Sequence, residues 1–435
     1  MPEVNSGDTA WLLVSTAMVM LMTPGLALFY GGMVREKNVL STFMHSFFAL
    51  GLVTLQWVLI GYSLSFGKSH FGVIGGTEFA FLRGVGMDGA GKTVPHVLFM
   101  MYQGMFAIIT PALISGAYAE RMKFSAYCLF TLLWSTLVYD PVAHWVWGTG
   151  GWLAKMGALD FAGGTVVHLT SGVSALVVAI VLGKRIGYPG HGHRPHNLTM
   201  TVLGAGILWF GWFGFNAGSA LTSGGLASQA FVNTQIAAAA GAVAWAGIEG
   251  VRLGKPTMLG VASGLVAGLV GITPAAGFVN PMGAIAIGLI AGGVCHYGVL
   301  LKNKLGYDDT LDAFGVHGIG GALGALLTGV FAIKALTPEN AGGVLSGNPK
   351  IMIAQSVGVV AAGAYAAVMT FGILKLVNAL VGLRASSDEE REGLDTALHG
   401  ETGYAMGEGT AHVAPEETEP TPEPALAPAL QTESV

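Results

Sequence analysis

The chain has 435 residues, of which 52% are hydrophobic and 10% are charged. Soluble domains carry about 25% charged residues, so the composition excludes a single water-soluble fold and predicts a polytopic membrane protein. Residues 1–384 carry 19 Lys and Arg against 13 Asp and Glu, a net charge of +6, whereas residues 385–435 carry 1 against 12, a net charge of −11. No basic patch dominates, so nucleic-acid binding is not expected.

The first ten residues carry two acidic side chains and no basic one. A cleavable signal peptide begins with a basic segment, so the apolar run that follows is expected to be retained as the first span. A helix needs about 20 mainly apolar residues to cross a bilayer, and the chain contains eleven candidate runs. They cover residues 9–33, 42–66, 96–118, 124–143, 163–183, 198–220, 229–250, 257–273, 279–301, 311–333 and 350–382.

Lys and Arg are unevenly divided between the two alternating sets of connections. Basic connections remain on the cytoplasmic side, so the richer set and the C-terminus are predicted to lie inside and the N-terminus outside. The fourteen residues of the richer set are Arg35, Lys37, Arg121, Lys123, Lys184, Arg185, Arg194, Arg252, Lys255, Lys302, Lys304, Lys375, Arg384 and Arg391. The six residues of the other set are Lys68, Arg83, Lys92, Lys155, Lys334 and Lys350.

Two pairs of similar segments indicate an internal repeat. Residues 160–168 and 309–317 each begin with Asp and end in Val-His, and residues 25–32 are matched by residues 211–218. Spans one to five therefore repeat as six to ten, and because five is odd, the second copy is inverted in the membrane. The predicted fold is an all-α polytopic membrane protein with eleven transmembrane helices, an inverted 5+5 repeat and a long eleventh helix.

Ionisable side chains inside apolar spans are costly and usually face a cavity or a partner. His168 and His317 occupy equivalent positions in the two halves, so the repeat is expected to bring them together on the central axis. Two neutral imidazoles can share one proton and line a narrow pore. Two alternatives stay open, namely independent core histidines and a haem held by two axial ligands. His296 has no symmetric mate and is interpreted as structural.

Three acidic residues stand at the predicted starts of spans five and ten. Asp160 precedes the fifth span and is expected to accept its unpaired N–H groups, and it can also hold a negative potential beneath an outer vestibule. Asp309 and Asp312 begin the tenth span, where the same capping is expected.

An aromatic group follows the fourth span and continues in the sixth. Interfacial tryptophans commonly anchor a protein in the bilayer, but an aromatic face also binds a small cation with about 0.5–2 kcal/mol. Phe106 and Phe215 are predicted to stack as an apolar constriction, and Ser219 adds a hydroxyl on the same helix face as Phe215. The group comprises Trp145, Trp147, Trp152, Trp209, Trp212, Phe213 and Phe215.

The residues predict no metal site, no cofactor and no enzyme. Cys128 and Cys295 lie in apolar runs without CxxC spacing and are interpreted as core residues. Three loop histidines, His191, His193 and His196, lack an acidic or Cys partner and are interpreted as solvated. P-loop, GxSxG and HExxH motifs are absent, which argues against an ATP-driven pump and an intramembrane protease.

Four segments resemble signature sequences of the ammonium transporter (Amt/Mep/Rh) family. The resemblance extends from about residue 8 to residue 406. It is closer to the bacterial Amt branch than to the Rhesus branch, because Trp147 and Ser219 are both present. It implies a homotrimer in the lipid bilayer of the inner (cytoplasmic) membrane, with eleven spans and a separate pore in each subunit. The four segments are residues 23–32, 160–185, 211–219 and 314–318.

The resemblance also assigns roles to the aromatic group. It implies that Trp147, Phe106 and Ser219 form an outer ammonium site. It also implies that Asp160 supports that site and is needed for transport. Phe106 and Phe215 are then the gate beneath that site.

Below the gate, the resemblance implies a pore that contains Trp212 and the twin histidines His168 and His317. A bare ion in hydrocarbon costs tens of kcal/mol, whereas removing a proton from ammonium, whose pKa is roughly 9, costs about 3 kcal/mol at pH 7. We therefore expect ammonium to be captured outside, to lose its proton near the gate and to pass as ammonia. A separate passage of the proton would make uptake electrogenic.

The expected organisation is a transmembrane domain, residues 1–384, followed by a cytoplasmic regulatory segment, residues 385–406. In the family, that segment takes part in control by PII-type signal proteins, which plug the cytoplasmic pore mouths. The Pro-, Glu- and Ala-rich end, residues 407–435, is expected to be disordered. The alternatives are an ammonium sensor with little flux and a gas channel for carbon dioxide, although 51 residues after Arg384 are too few for a fused signalling domain.

Overall fold

The computed structural model describes residues 3–189 and 195–404, which contain eleven main helices. A short helix, Trp152–Met156, follows the fourth of them, and a further short helix, α12 (Ser387–Glu392), lies in the C-terminal segment. The main helices are α1 (Ser6–Met33), α2 (Glu36–Phe66), α3 (His96–Tyr118), α4 (residues 124–147), α5 (Gly164–Leu182), α6 (Leu198–Gly218), α7 (Gly225–Leu253), α8 (Met258–Ile272), α9 (Pro281–Leu305), α10 (Phe314–Phe331) and α11 (Ile351–Val381).

Ten of these helices are long and apolar enough to cross a membrane. The remaining one, α8, has 15 residues and is buried along most of its length. Each helix coincides with one of the runs that the sequence predicts. The helix α3 begins and ends at the predicted residues, whereas α2 begins six residues earlier than predicted because a 3-10 turn, Glu36–Asn38, leads into it.

A small antiparallel hairpin lies in the connection after α2. Its strands are β1 (Ser69–His70) and β2 (Ile74–Gly75), with Ser69 opposite Gly75 and His70 opposite Ile74. Gly72 in the turn has φ +77°, a conformation that glycine adopts without strain. The indole of Trp145 donates to the carbonyl oxygen of Val73 at 2.8 Å, which fastens the hairpin to the end of α4.

Glycines allow helices of the two halves to touch. A Cβ atom on Gly204 of α6 would overlap the backbone nitrogen of Phe29 in α1. A Cβ atom on Gly172 of α5 would likewise overlap the backbone nitrogen of Gly318 in α10. Small residues permit such close backbone contact between membrane helices. The helices α5 and α10, which carry the matched Val-His sequences, therefore cross in direct contact.

Both of these crossing helices begin with a π-helical turn that contains the histidine. The turn is Gly164–Leu169 in α5 and Phe314–Gly318 in α10. Single π-helical turns are rare and often occur at functional sites, because they re-aim side chains relative to an ordinary helix. Two further turns of this kind interrupt other helices, Trp57–Gly61 in α2 and Ser135–Tyr139 in α4.

Candidate functional site

A cavity of about 280 Å³ lies between the start of α3 and the ends of α4 and α6. It is called the outer cavity, after the outer site that the sequence predicts there. Phe99, Gln103 and Phe106 face it from α3, because their spacing of four and three residues places them on one side of the helix. Half of the ten lining residues are aromatic, and Lys92, Gln103 and Ser219 contribute polar side chains. The lining residues are Phe66, Lys92, Phe99, Gln103, Phe106, Val146, Trp147, Phe161, Ser219 and Leu221.

Two stacked phenyl rings separate the outer cavity from a narrower space beneath it. The ring centroids of Phe106 and Phe215 are 4.2 Å apart with 32° between their planes, and each residue is 1% exposed. The predicted stack is thus confirmed. The indole of Trp147 stands almost perpendicular to Phe106, with centroids 5.9 Å apart. A cation resting above Phe106 would therefore meet aromatic rings from two directions.

Ser219 ends α6 and presents a hydroxyl to the outer cavity. Its hydroxyl donates to the carbonyl oxygen of Phe215 at 2.8 Å, so the oxygen keeps lone pairs for a donor in the cavity. The Tyr102 hydroxyl lies 2.9 Å from the carbonyl oxygens of Gly214 and Phe215 and 3.2 Å from the Ser219 hydroxyl. Tyr102 therefore ties α3 to the end of α6. Tyr102 is not among the site residues that the sequence predicts, although its position four residues before Phe106 places it on the same face of α3.

Asp160 is buried behind the outer cavity and caps α5. Its carboxylate accepts hydrogen bonds of 2.7–3.1 Å from four successive backbone N–H groups, those of residues 163–166. These are the donors that a helix start leaves unpaired, so the predicted capping is confirmed. The carbonyl oxygen of Asp160 also accepts from the indole N–H of Trp147 at 2.9 Å. Asp160 thus fixes α5 and Trp147, and it is not among the described residues that line the cavity.

At the start of α10, the structure agrees with the capping prediction for Asp309 but not with that for Asp312. Asp309 accepts from the backbone N–H groups of Ala313 and Phe314 at 3.1 and 2.8 Å, which confirms its capping role. The capping prediction for Asp312 was wrong, because its carboxylate pairs with Lys302 of α9 at 2.5 Å. Its backbone has φ +62°, a left-handed conformation that is uncommon for residues other than glycine.

The two histidines of the repeat meet beneath the aromatic stack. His168 Nδ1 lies 3.2 Å from His317 Nδ1, and the ring planes differ by 16°. The predicted approach is confirmed, and at this distance one ring can donate its N–H to the other. His168 Nε2 is buried and has no hydrogen-bond partner among the described residues. The pair therefore has one internal hydrogen bond, and within the described residues the buried Nε2 of His168 remains without a partner.

A narrow apolar space surrounds the histidine pair. Its free volume is about 10 Å³, roughly what one water-sized molecule needs. The Trp212 ring stacks on His168 at 5.4 Å, and its indole N–H donates to Thr273 Oγ1 at 2.9 Å. A further cavity of about 50 Å³ continues from the other side of His317. The narrow space is lined by Met22, Leu26, Phe29, Ile109, Leu113, Val167, His168, Leu208, Trp212, Phe215, Val266 and His317.

Buried ion pairs hold together the face of the protein opposite to the outer cavity. Glu120 pairs with Arg35 at 3.1 Å and with Arg185 at 2.9 Å, and Arg185 also pairs with Asp308 at 2.9 Å. Burial alone would raise the pKa of Glu120, but the guanidiniums of Arg185 and Arg35 more than offset it and lower that pKa. Burial and Arg185 act on the pKa of Asp308 in the same opposed way, with the same net lowering. Both carboxyl groups are therefore charged at neutral pH.

The C-terminal segment is docked on that same face. The carboxylate of Glu390 accepts from the backbone N–H of Ile186, just after α5, at 2.6 Å. The carboxylate of Asp395 accepts from the backbone N–H groups of residues 40 and 41, at the start of α2, at 3.0 and 2.7 Å. The segment therefore contacts the connection that follows α5, the helix that contains His168. The predicted disordered end, residues 407–435, lies outside the described residues.

The part of the chain that the structure describes contains neither a metal-binding cluster nor room for a haem between the paired histidines. Within residues 3–189 and 195–404, no group of three or more His, Cys, Asp or Glu side chains could hold a metal ion. His168 and His317 are in direct hydrogen-bond contact, so no porphyrin fits between them. Cys295 is buried and Cys128 is half-buried, and neither is paired, in accord with the core interpretation.

Two other histidines have structural partners. His296 pairs with an arginine of α7 at 2.8 Å, which agrees with its structural interpretation. His196 was interpreted as solvated, and this was wrong, because its Nδ1 lies 2.8 Å from the carbonyl oxygen of Val34 and its ring is half-buried. The contact arises from tertiary folding that the loop composition does not reveal. The remaining histidines of that loop, His191 and His193, lie outside the described residues.

Residues 10–404 match the family model of the Ammonium Transporter Family. The chain belongs to the ammonium transporter family. It is 54% identical over 404 residues to the ammonium transporter of Bacillus subtilis (strain 168), a match that covers 92% of this chain and 99% of that protein. The resemblance of the four signature segments is therefore confirmed across nearly the whole chain.

Solved structures support the same membership. The crystal structure of Saccharomyces cerevisiae Mep2 is similar with a TM-score of 0.84 and 40% identity, covering 89% of each chain. A protein described as "Sensor Amt Protein" is similar with a TM-score of 0.84 and 30% identity, covering 90% of this chain and 98% of that chain. The ten long apolar helices thus form the membrane fold of Amt and Mep proteins, and the family is one of transporters rather than enzymes.

Proposed function

We propose that the chain transports ammonium by recruiting the cation in the outer cavity, removing its proton at the gate and conducting ammonia past the twin histidines. One observation carries the proposal. An aromatic cavity, the stack of Phe106 on Phe215, and the pair of His168 and His317 follow one another, and the last lies in a space of about 10 Å³. This order matches the three proposed steps, in which the cation is bound, loses its proton and passes as neutral ammonia.

Recruitment uses the aromatic wall and the Ser219 hydroxyl. A cation on Phe106 and Trp147 gains about 0.5–2 kcal/mol from the rings, depending on how much water it loses. Ammonium also donates an N–H to the free lone pair of Ser219. Asp160 supports the site by holding Trp147 through its carbonyl oxygen and by placing a buried negative charge beneath the cavity.

Deprotonation follows from the size and polarity of the space below the gate. An ion that has lost its water costs tens of kcal/mol in an apolar medium, and the lining contains few groups that could replace that water. Removing the proton at pH 7 costs about 3 kcal/mol, since the pKa of ammonium is roughly 9. Ammonia is then small and neutral enough to pass Trp212, His168 and His317.

The released proton crosses separately, and net transport carries charge. The imidazoles of His168 and His317 can each hold or donate a proton at their ring nitrogens, and the 3.2 Å contact provides a step between them. Ammonia moves through the apolar space beside these rings. Each ammonia accompanied by one proton moves one positive charge inward.

The proposed arrangement in the membrane has eleven spans, the N-terminus outside and the C-terminus inside. It includes α8 as a short span, and the contact of α1 with α6 and of α5 with α10 supports the inverted 5+5 repeat. We also propose a homotrimer in the inner (cytoplasmic) membrane, with one pore in each subunit. Large apolar side chains exposed on α2, α7 and α11 suit lipid or a neighbouring subunit, and they include Leu55, Val243 and Val360.

The segment 385–406 is proposed to regulate the transmembrane domain, residues 1–384, together with a PII-type signal protein. The hydrogen bonds of Glu390 and Asp395 support this role, since they connect the segment to the ends of α5 and α2. A partner that displaces the segment would act on a helix that carries His168.

A second candidate function is an ammonium sensor with little flux. It is favoured by the similarity to the protein described as "Sensor Amt Protein". A channel for carbon dioxide is a third candidate function, because the narrow apolar space would also admit that neutral gas.

An ammonium pulse applied to proteoliposomes separates the three readings. Transport predicts an inward current that saturates with ammonium and is absent from protein-free liposomes. A sensor predicts ammonium binding without sustained current, and a gas channel predicts faster acidification of the lumen by carbon dioxide without an ammonium current. Either of these last results would contradict the proposed transport.

A further inference from the structure

A lysine side chain projects into the outer cavity proposed to receive ammonium. Lys92 Nζ lies 4.4 Å above the ring centroid of Phe99, and both residues line the cavity together with Trp147 and Ser219. This distance is within the range of a cation–π contact. The aromatic wall therefore already contacts one alkylammonium group, that of Lys92.

Lys92 has no direct ion-pair partner in the part of the chain that the structure describes. Among the residues that the structure describes, no carboxylate forms an ion pair with Lys92. Partial burial lowers the pKa of Lys92 from its ordinary value of 10.5. A lysine on a protein surface normally extends into water. This lysine instead faces the other polar and aromatic groups of the cavity.

The fold holds the backbone that carries this lysine. The N–H of Lys92 donates to the carbonyl oxygen of Gly89 at 2.8 Å, and the next carbonyl oxygen, that of Thr93, accepts from the N–H of Asn5 at 2.7 Å. Val94 is completely buried. The connection before α3 is thus fastened to the start of the chain and to the interior, so the position of Lys92 is built into the structure.

We infer that Lys92 sets the ammonium affinity of the outer site, because it is a tethered cation that opposes the entry of ammonium. Its ε-ammonium group has the same charge as the substrate and uses the same aromatic wall. Two like charges in one partly desolvated cavity repel each other. An arriving ammonium ion must therefore displace the lysine side chain, or it binds more weakly because of the repulsion. The inference rests on the proposed function and concerns the entry step only.

The test measures ammonium-driven current in proteoliposomes that contain the full-length chain or its K92M variant. At about 0.01 M salt, K92M is expected to lower KM by about two- to fivefold, the equivalent of one weak cation contact, with an unchanged maximal current. Raising the salt to about 1 M shortens the Debye length from about 30 to about 3 Å, so the difference from the unmodified chain should shrink. K92R keeps the charge and should keep the original KM.

A matched control replaces an exposed lysine that lies outside the cavity lining. Lys155, in the short helix after α4, meets this condition, and K155M should leave KM unchanged at both salt concentrations. An unchanged or raised KM in K92M at low salt would overturn the inference. A lowered KM that is independent of salt, or that K92R reproduces, would also overturn it, because the effect would then come from side-chain shape.

Failure of the proposed transport is distinguishable from failure of this inference. If the unmodified chain carries no saturable current, ammonium binding to the detergent-solubilised protein is measured by calorimetry instead. K92M should then lower Kd by the same two- to fivefold at low salt, and an unchanged Kd would reject the role of Lys92.

Discussion

Replacing Asp160 by Asn should weaken the start of α5 while leaving the side-chain shape almost unchanged. In the structure, one carboxylate oxygen accepts from the N–H groups of Gly163 and Gly164, and the other accepts from those of Thr165 and Val166. An amide has a single oxygen acceptor, and its nitrogen is a donor. D160N therefore leaves two of the four N–H groups without an acceptor.

The magnitude follows from the cost of those two groups. A buried donor without a partner costs about 1–3 kcal/mol, so D160N should cost about 2–6 kcal/mol locally. The affected turn contains His168 and leads directly to its contact with His317. The same residue positions the indole of Trp147. We therefore expect loss of most of the ammonium current in addition to lower stability.

Two assays on the same preparation test this prediction. Thermal unfolding in detergent reports stability, and the ammonium-pulse current per folded protein reports transport. D88N is the matched control, because Asp88 is an exposed aspartate in the connection before α3. Unchanged unfolding of D160N would refute the capping argument. A lowered unfolding temperature with an unchanged current per folded protein would show that the carboxylate is needed only for folding.

Three further changes test, one at a time, the proposed roles of the aromatic gate, the histidine pair and the C-terminal segment. F215A should remove one ring of the stack and allow potassium to carry current, which is measured with potassium pulses. H168A should break the contact with His317, lower the current about tenfold or more and alter ion selectivity. Truncation after Val381 removes the docked carboxylates of Glu390 and Asp395, and it should abolish the response to a PII-type protein or impair transport.

Each of these changes has a control variant of the same kind. F210A is the control for F215A, because Phe210 is exposed on α6. H70A is the control for H168A, because His70 is exposed. Truncation after Tyr404 keeps the docked segment. An unaltered ion profile of F215A would mean that Phe215 only packs. Unchanged current and selectivity in H168A would contradict the relay, and a truncated chain with normal transport and PII response would make the segment irrelevant.

The parts of the site that could be predicted depend on local spacing or on the repeat. Asp160 caps α5 because a carboxylate just before a helix reaches its first N–H groups, which the sequence alone reveals. His168 and His317 meet because equivalent positions of two halves approach one axis. The apolar runs predicted every main helix, since hydrophobic length is the dominant signal in a membrane protein.

The parts that could not be predicted depend on partners distant in the sequence. Asp312 does not cap α10 because Lys302 of another helix attracts it. The π-helical turns add a residue to a turn for reasons of packing, which composition does not encode. The Tyr102 hydroxyl contacts a carbonyl group 113 residues later, and Glu390 contacts a backbone N–H 204 residues earlier. Such contacts follow only from the folded arrangement.

The central claim is that ammonium loses its proton before ammonia passes the histidine pair. Its most direct test compares the ammonium-pulse current in light water with the current of deuterated ammonium in heavy water, after correction for viscosity. If an N–H bond must break at the gate, the current should be smaller in heavy water than in light water. The ratio of the two currents should change in H168A. Equal currents in the two solvents would contradict the account, because the ion would then cross with its proton in place.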